Sequence, residues 1–126
     1  MIIKLTGASG YLGNLISAQL HKQGHTMQQI PRELLYGDTA KLSGFMRDAS
    51  VIINLAGAPI LARWTNSRRK KIYDSRVKTT GNLVKAIHML SPEIRPRKFI
   101  SISATGIYQA GKIHDENSHD FATDFV

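Results

Sequence analysis

Cysteine is missing altogether from the 126 residues, which excludes a disulfide framework and any thiolate metal site. Long apolar runs are missing too, and nothing approaches the roughly 20 residues that a membrane-crossing helix needs. The first residues lack a charged segment followed by an apolar one, so no secretory leader is read there and a cytoplasmic protein is the expectation. Acidic residues are scarce, 9 against 17 lysines and arginines, for a formal net charge of +8. Such an excess points to an anionic partner: a nucleic acid, an acidic surface or a small anion. The densest basic block, Arg68-Arg69-Lys70-Lys71, has only Trp64 and Tyr73 as aromatic neighbours, and no nucleic-acid-binding signature occurs. We read the block as a solvated helix face and expect neither a nucleic-acid nor a membrane partner. What is present is ordinary for one soluble domain: 42% hydrophobic and 21% charged residues.

The hydrophobic pattern alternates between short runs and helical stripes. Ile2-Ile3-Lys4-Leu5 reads as a strand, and Leu12, Leu15, Ile16 and Leu20 lie on one face of a helix from Tyr11 to about Lys22. Gly24 stops that helix, and Thr26 to Ile30 reads as a second strand ending before Pro31. Leu34-Leu35-Tyr36 suggests a third, short strand. Leu42, Phe45, Met46 and Ala49 have the spacing of a short amphipathic helix, and Val51 to Leu55 is a strand apolar on both faces. A long helix spans about Asn66 to Leu90, with Ile72, Leu83, Val84, Ile87 and Leu90 inward, until Ser91-Pro92 stops it. Lys98 to Ile102 is the last clear strand, and 112–126 is polar without a period. Strands alternating with helices predict an α/β fold: a Rossmann-type parallel sheet with helices on both faces.

Three glycines follow the first strand at a spacing of three, Gly7, Gly10 and Gly13, although glycine inside a helix costs about 1 kcal/mol against alanine. In a Rossmann-type fold that turn aims a helix N-terminus at the pyrophosphate of a dinucleotide. Gly7 would allow the sharp turn, Gly10 the approach of phosphate oxygens to its N–H, and Gly13 close packing of helix on sheet. Ser9 stands where the second glycine of G-x-G-x-x-G would be, and three such glycines could also serve only turning and packing. Strand before and amphipathic helix after favour dinucleotide binding.

Here the residues carry a resemblance. TGASGYLG is similar to the TGxxGxxG element of extended short-chain dehydrogenase/reductases, the superfamily of nucleotide-sugar epimerases and dehydratases. Gly37-Asp38 resembles its GD element, NLAGAP (Asn54 to Pro59) its fourth-strand element and SISATGIY (Ser101 to Tyr108) its fifth. LAGAPI with RWT, KKIYDSRVKTTGNLVKAI and DENS looks like its atypical epimerase-like branch. The resemblance covers nearly the whole chain. It implies that residues 1–126 are an NAD(P)-binding Rossmann domain, incomplete at the C-terminus, because the family's catalytic helix, last strands and substrate domain would follow. It also implies cofactor contacts at Gly7, Ser9, Gly10, Tyr11, Leu12, Gly13, Arg32, Asp38, Leu55, Ala56, Gly57 and Ser101, with Asp38 beside the adenine.

After the second strand an acidic residue selects the 2′-hydroxyl of NAD, and an arginine the 2′-phosphate of NADP. Arg32 stands at the family's selector position, with Glu33 next to it, so NADP is favoured and NAD is the alternative. The family reaction is hydride transfer between nicotinamide and a sugar carbon, with a tyrosine as acid/base, a lysine lowering its pKa and a serine or threonine on the substrate oxygen. Ser103 matches that hydroxyl best and Thr105 is second; a serine ending a strand without a role is the plain competitor. Tyr108 and Lys112 fit Tyr-x-x-x-Lys by letter, but that pair works from a helix and Gly111 is a poor helix residue. The helix meant for it would begin around Asp120 or Phe121. Arg76 stands where many members carry a structural asparagine. His114, Asp115, Glu116 and His119 form the densest group with metal-ligand chemistry, and we read them as solvated, with no metal.

The sequence thus points to the NADP(H)-binding portion of a nucleotide-sugar epimerase/dehydratase-like oxidoreductase, not catalytically complete alone. The alternative is a non-catalytic dinucleotide-binding or regulatory interaction module. A nucleotide sugar is the implied substrate class, and uncovered sheet edges leave room for a homo-oligomer.

Overall fold

The computed structural model describes residues 1–61, 63–104 and 107–123. Four parallel strands form its centre: β1 (Ile2–Thr6), β2 (Thr26–Gln29), β3 (Val51–Asn54) and β4 (Lys98–Ser101), in the order β2-β1-β3-β4. The two central strands are the ones with continuous apolar runs, and every residue of β3 is buried. The register sets Ile3 beside Val51 and Leu5 beside Ile53, so these four side chains share one face. Helix α1 (Tyr11–Lys22) joins β1 to β2; α2 (Arg32–Tyr36) and α3 (Thr39–Met46) join β2 to β3. Between β3 and β4 run α4 (Asn66–Tyr73), a π-helical turn over Asp74–Lys78, and α5 (Thr79–His88).

A core lies on each face. The larger gathers Ile30, Leu35, Leu42, Met46, Ile52, Leu83, Ala86 and Leu90 from α2, α3, α5 and the sheet. The smaller holds Ile3, Leu5, Val51 and Ile53, with Ile16 and Leu20 of α1 packed on it. This is the Rossmann-type arrangement expected from the alternation of patterns.

Several local expectations are corrected. Leu34-Leu35-Tyr36 is helix, not strand: three adjacent apolar residues carry no period, and Leu35 reaches the larger core from the short α2. The α1 stripe is only half used, because Leu12 and Leu15 are 49% and 52% exposed while Ile16 and Leu20 pack inward. Ile100 of β4 and Ile102 just beyond it are exposed as well. The long helix runs from Asn66 to His88 without a gap, but the π turn shifts its face, and Val84 points outward. Strands β2, β3 and β4 each end one residue earlier than the pattern suggests.

No helix begins at Asp120 or Phe121. Phe121 instead bridges Tyr108 in antiparallel fashion, flanked by Gln109 N–H to Asp120 O at 2.8 Å and Ala122 N–H to Ile107 O at 2.8 Å. Lys4, in a strand read as apolar, is only 3% exposed. Its stem lies in the sheet and its ammonium reaches Phe45 O and the Asp48 carboxylate at the end of α3.

Candidate functional site

The strand order reverses direction at β1 and β3: the chain leaves β1 toward β2 on one side and returns to β3 on the other. In open parallel sheets the crevice beyond the C-terminal ends of such a pair takes ligands. Here Thr6 and Asn54 stand side by side at those ends.

The turn after β1 is built on two glycines with internal reasons to be glycine. Gly7 has a φ of 68°, and a Cβ there would sit 2.9 Å from Leu55 O. A Cβ on Gly13 would fall 2.2 Å from Gly7 O and 2.7 Å from Ala8 Cα, so α1 can lie this close to the turn only without a side chain. Gly10 differs. Its φ of −77° suits any residue, and an added Cβ would meet only Gly7 O, at 3.3 Å. It caps α1 with no side-chain hydrogen bond, and the first turn holds no acidic residue. The positive end of the helix therefore has no side-chain cap and no neutralising carboxylate. Gly10 N–H to Gly7 O at 3.1 Å and the Asn14 amide to Ser9 O at 3.2 Å fix the turn.

The facing loop after β3 is tied from beneath. Thr6 Oγ1 donates to Asn54 Oδ1 at 2.7 Å and accepts from the N–H groups of Leu55 and Ala56, both at 2.9 Å. That uses the whole capacity of a hydroxyl: one donor and two lone pairs. Asn54 Nδ2 donates to Thr80 Oγ1 at 2.9 Å and to Ser101 Oγ at 3.3 Å, so one buried amide joins β1, β3, β4 and α5. The π turn grips the same loop from outside. Ala58 N–H donates to Ser75 Oγ at 2.8 Å, and Ala58 O accepts from an Arg76 guanidinium nitrogen at 3.1 Å. π turns are rare and concentrate at functional sites.

Two adjoining cavities result. One, of about 380 Å³, brings together Gly7, Ser9, Gly10, Arg32, Leu55, Ala56 and Gly57, with Gln29, Tyr36, Lys71, Ser75 and Thr79. The other, of about 510 Å³, takes in Asn54, Arg76, Thr80, Ser101, Ser103, Ile107 and Ala122 and shares Leu55, Ala56 and Gly57 with the first. Of the residues singled out from sequence, Tyr11 and Leu12 line neither cavity and have exposed side chains, while Gly13 is buried under the turn. Asp38 also lines neither; its carboxylate accepts from Ala40 N–H at 2.9 Å and caps α3. Thr105 lies outside the described residues.

Tyr108 and Lys112 are not on a helix: Gly111 has a φ of 82°, the Tyr108 ring stacks on His114 and Lys112 pairs with Asp120. Among the described residues no three His, Asp or Glu side chains form a metal-binding group. Nor is any described helix long and apolar enough to cross a membrane.

Thr6, Asn54, Lys71 and Ser75 fall inside the motifs read from sequence, but none was singled out there as a site residue. The polar hub carries no periodic signal, and four consecutive cations look alike in a sequence. One of them could have been sorted: Lys70 lies four residues before Asp74. Their hydrogen bond, 2.6 Å long, raises the Lys70 pKa and lowers that of Asp74.

Known proteins resemble this arrangement. The chain is 26% identical to the chloroplastic SDR39U1-homologue epimerase family protein of Arabidopsis thaliana, over 94% of this chain and 39% of that one. The structure of human epimerase family protein SDR39U1 (isoform 2) with NADPH superposes with a TM-score of 0.72 at 26% identity, over 86% of this chain and 38% of that one. A nucleoside-diphosphate sugar epimerase from Corynebacterium glutamicum gives 0.73 at 27% identity, over 99% and 27%. The chain thus spans well under half the length of these relatives. The family model for NAD dependent epimerases and dehydratases matches residues 3–124. With the glycine turn, the switch-point crevice and a match along nearly its whole length, the chain belongs to the NAD dependent epimerase/dehydratase family.

Proposed function

We propose that residues 1–126 are the NADP(H)-binding portion of a nucleotide-sugar epimerase- or dehydratase-like oxidoreductase, and that they bind the dinucleotide without turning over a sugar. The observation that carries the reading is Gly10. Its neighbours Gly7 and Gly13 are required by the protein's own packing, whereas Gly10 borders the cleft, has an ordinary φ, and a Cβ there would press on one atom alone, Gly7 O at 3.3 Å. A bare backbone there serves something outside the chain. In this reading the N–H groups of Tyr11 and Leu12 meet the pyrophosphate, Gly10 N–H being held by Gly7 O and its bare Cα letting the phosphate approach; Ser9 helps orient it, and Arg32 takes the 2′-phosphate. Leu55, Ala56 and Gly57 form the wall along which the dinucleotide passes from the first cavity to the second. When bound, the nicotinamide would supply or accept a hydride. The human relative's NADPH supports the choice of cofactor, and the Corynebacterium relative supports a nucleotide sugar as the substrate class.

The second cavity suits the reacting end. Ser103 borders it with Ser101, where a hydroxyl can hydrogen-bond a substrate oxygen. The sequence holds one Tyr-x-x-x-Lys, and its geometry cannot stack tyrosine and lysine toward that cavity. This favours binding without chemistry. Asp38 caps α3 through Oδ1 and keeps Oδ2 for its expected place beside the adenine. A cytoplasmic location belongs to the same reading.

Calorimetric titration with NADPH and NADH tests it. The unaltered chain should bind NADPH more tightly, and Gly10→Val should weaken both by about tenfold or more, as a side chain displaces the pyrophosphate from the helix end. Failure of both nucleotides to bind would refute the proposal.

A further inference from the structure

One lysine of the basic block borders the same cleft as Arg32. Arg32 opens α2, beyond the end of β2; Lys71 belongs to α4, after β3. Both border the cleft of about 380 Å³, and both border an adjoining groove of about 270 Å³ walled by Tyr36, Ser67, Lys70 and Asp74. The groove's charges are not equivalent. Lys70 is bonded to Asp74 and carries little free field. The Lys71 ammonium makes no hydrogen bond or ion pair with any described residue. The Arg32 guanidinium lies over the Tyr36 ring, 5.7 Å from its centroid, and likewise pairs with no carboxylate among the described residues. Glu33, the nearest acid in sequence, borders neither space. Two unneutralised cations from separate elements thus share one concave surface. Both charges favour an anion placed in that space.

Building on the NADP(H) reading, we propose that Lys71 is the second half of a clamp for the 2′-phosphate of an adenine dinucleotide. Arg32 offers a planar fork to two phosphate oxygens and Lys71 a compact charge from the opposite side. The clamp makes specificity a property of two elements. A 2′-phosphate bridges α2 to α4, whereas a 2′-hydroxyl leaves both cations without an anion.

The test compares the unaltered chain with Lys71→Met, Lys71→Arg and Arg69→Met, all with circular dichroism spectra matched. The ligands are NADPH, NADH, 2′,5′-ADP and 5′-AMP. Arg69 is exposed, borders neither space and removes the same charge from the same helix. Lys71→Met should weaken NADPH and 2′,5′-ADP by about tenfold and NADH and 5′-AMP by less than about twofold, the loss expected for one charge-assisted contact in a partly exposed site. Lys71→Arg should keep the preference, and Arg69→Met should change all four by less than about twofold. Equal weakening of phosphorylated and unphosphorylated ligands, or none, would overturn the clamp while leaving dinucleotide binding intact. Tight NADH binding without any preference for NADPH in the unaltered chain would also overturn it. If none of the four ligands binds the unaltered chain, the underlying cofactor reading fails and the clamp fails with it.

Discussion

Replacing Gly13 by alanine separates packing from ligand binding in the glycine turn. The new Cβ would stand 2.2 Å from Gly7 O and 2.7 Å from both Ala8 Cα and Ala8 O. Ordinary contact needs about 3.5 Å, so helix and turn must move apart by roughly 1 Å at a close-packed place. Overpacking of this kind costs about 1–3 kcal/mol, and a clash with backbone on two residues belongs at the upper end. Against it stands the gain of about 1 kcal/mol for alanine over glycine inside a helix. The net is about 2 kcal/mol of lost stability. At about 4 °C per kcal/mol for a domain of this length, Tm should fall by about 8 °C in a calorimetric or circular-dichroism melt. Gly10→Ala is the companion. Its Cβ meets one oxygen at 3.3 Å and its φ is ordinary, so Tm should change by less than about 3 °C, while nucleotide affinity drops. An unchanged or raised Tm for Gly13→Ala would refute the packing argument. Equal losses of stability in both variants would refute the distinction that singles out Gly10.

The other predictions concern the polar and charged groups of the sheet. Asn54→Ala leaves the Thr6 hydroxyl without its acceptor and Thr80 and Ser101 without their donor, and should cost about 2–3 kcal/mol in a urea melt. A loss below about 0.5 kcal/mol would mean that water replaces the amide and the hub holds nothing together. Lys4→Met keeps the buried stem and removes a desolvated charge whose partner is exposed, so stability should stay within about 1 kcal/mol; Lys4→Ala should lose about 2 kcal/mol or more through the space left behind. The reverse ranking would contradict this account of Lys4. The hydrogen bond from Lys4 holds the Asp48 carboxyl below its usual pKa. A lowered carboxylate pKa adds stability above the unfolded-state value and loses it as pH falls through the folded-state value. The unaltered chain should therefore lose stability in acid more steeply than Lys4→Met below about pH 4. Parallel curves would remove the Lys4–Asp48 pair from the pH response.

The central strands and the helices between them were legible because burial on both sheet faces leaves an unbroken apolar run, and a helix on a sheet leaves a stripe. The glycine turn was legible because its spacing is imposed by a strand-turn-helix geometry. Leu34 to Tyr36 misled because three adjacent apolar residues have no period. Leu12 and Leu15 misled because a stripe records which face is apolar and not how much surface lies opposite it. The Thr6–Asn54 hub was invisible, since it joins residues 48 apart through side chains that look unremarkable singly. Lys71 was hidden by its neighbours: only the course of α4 beside the cleft distinguishes it from Arg68 and Arg69. Asp38 carries a role the dipeptide did not announce, since one of its carboxylate oxygens caps a helix.

The most direct test of the account is a titration of the isotope-labelled chain with NADPH, followed through its backbone amide resonances. Saturable shifts at Ser9, Gly10, Tyr11 and Leu12 and along Leu55 to Gly57 are predicted, with further shifts at Arg32. Unmoved signals at the glycine turn, or shifts confined to the polar segment 112–120, would contradict the claim that this crevice holds the dinucleotide.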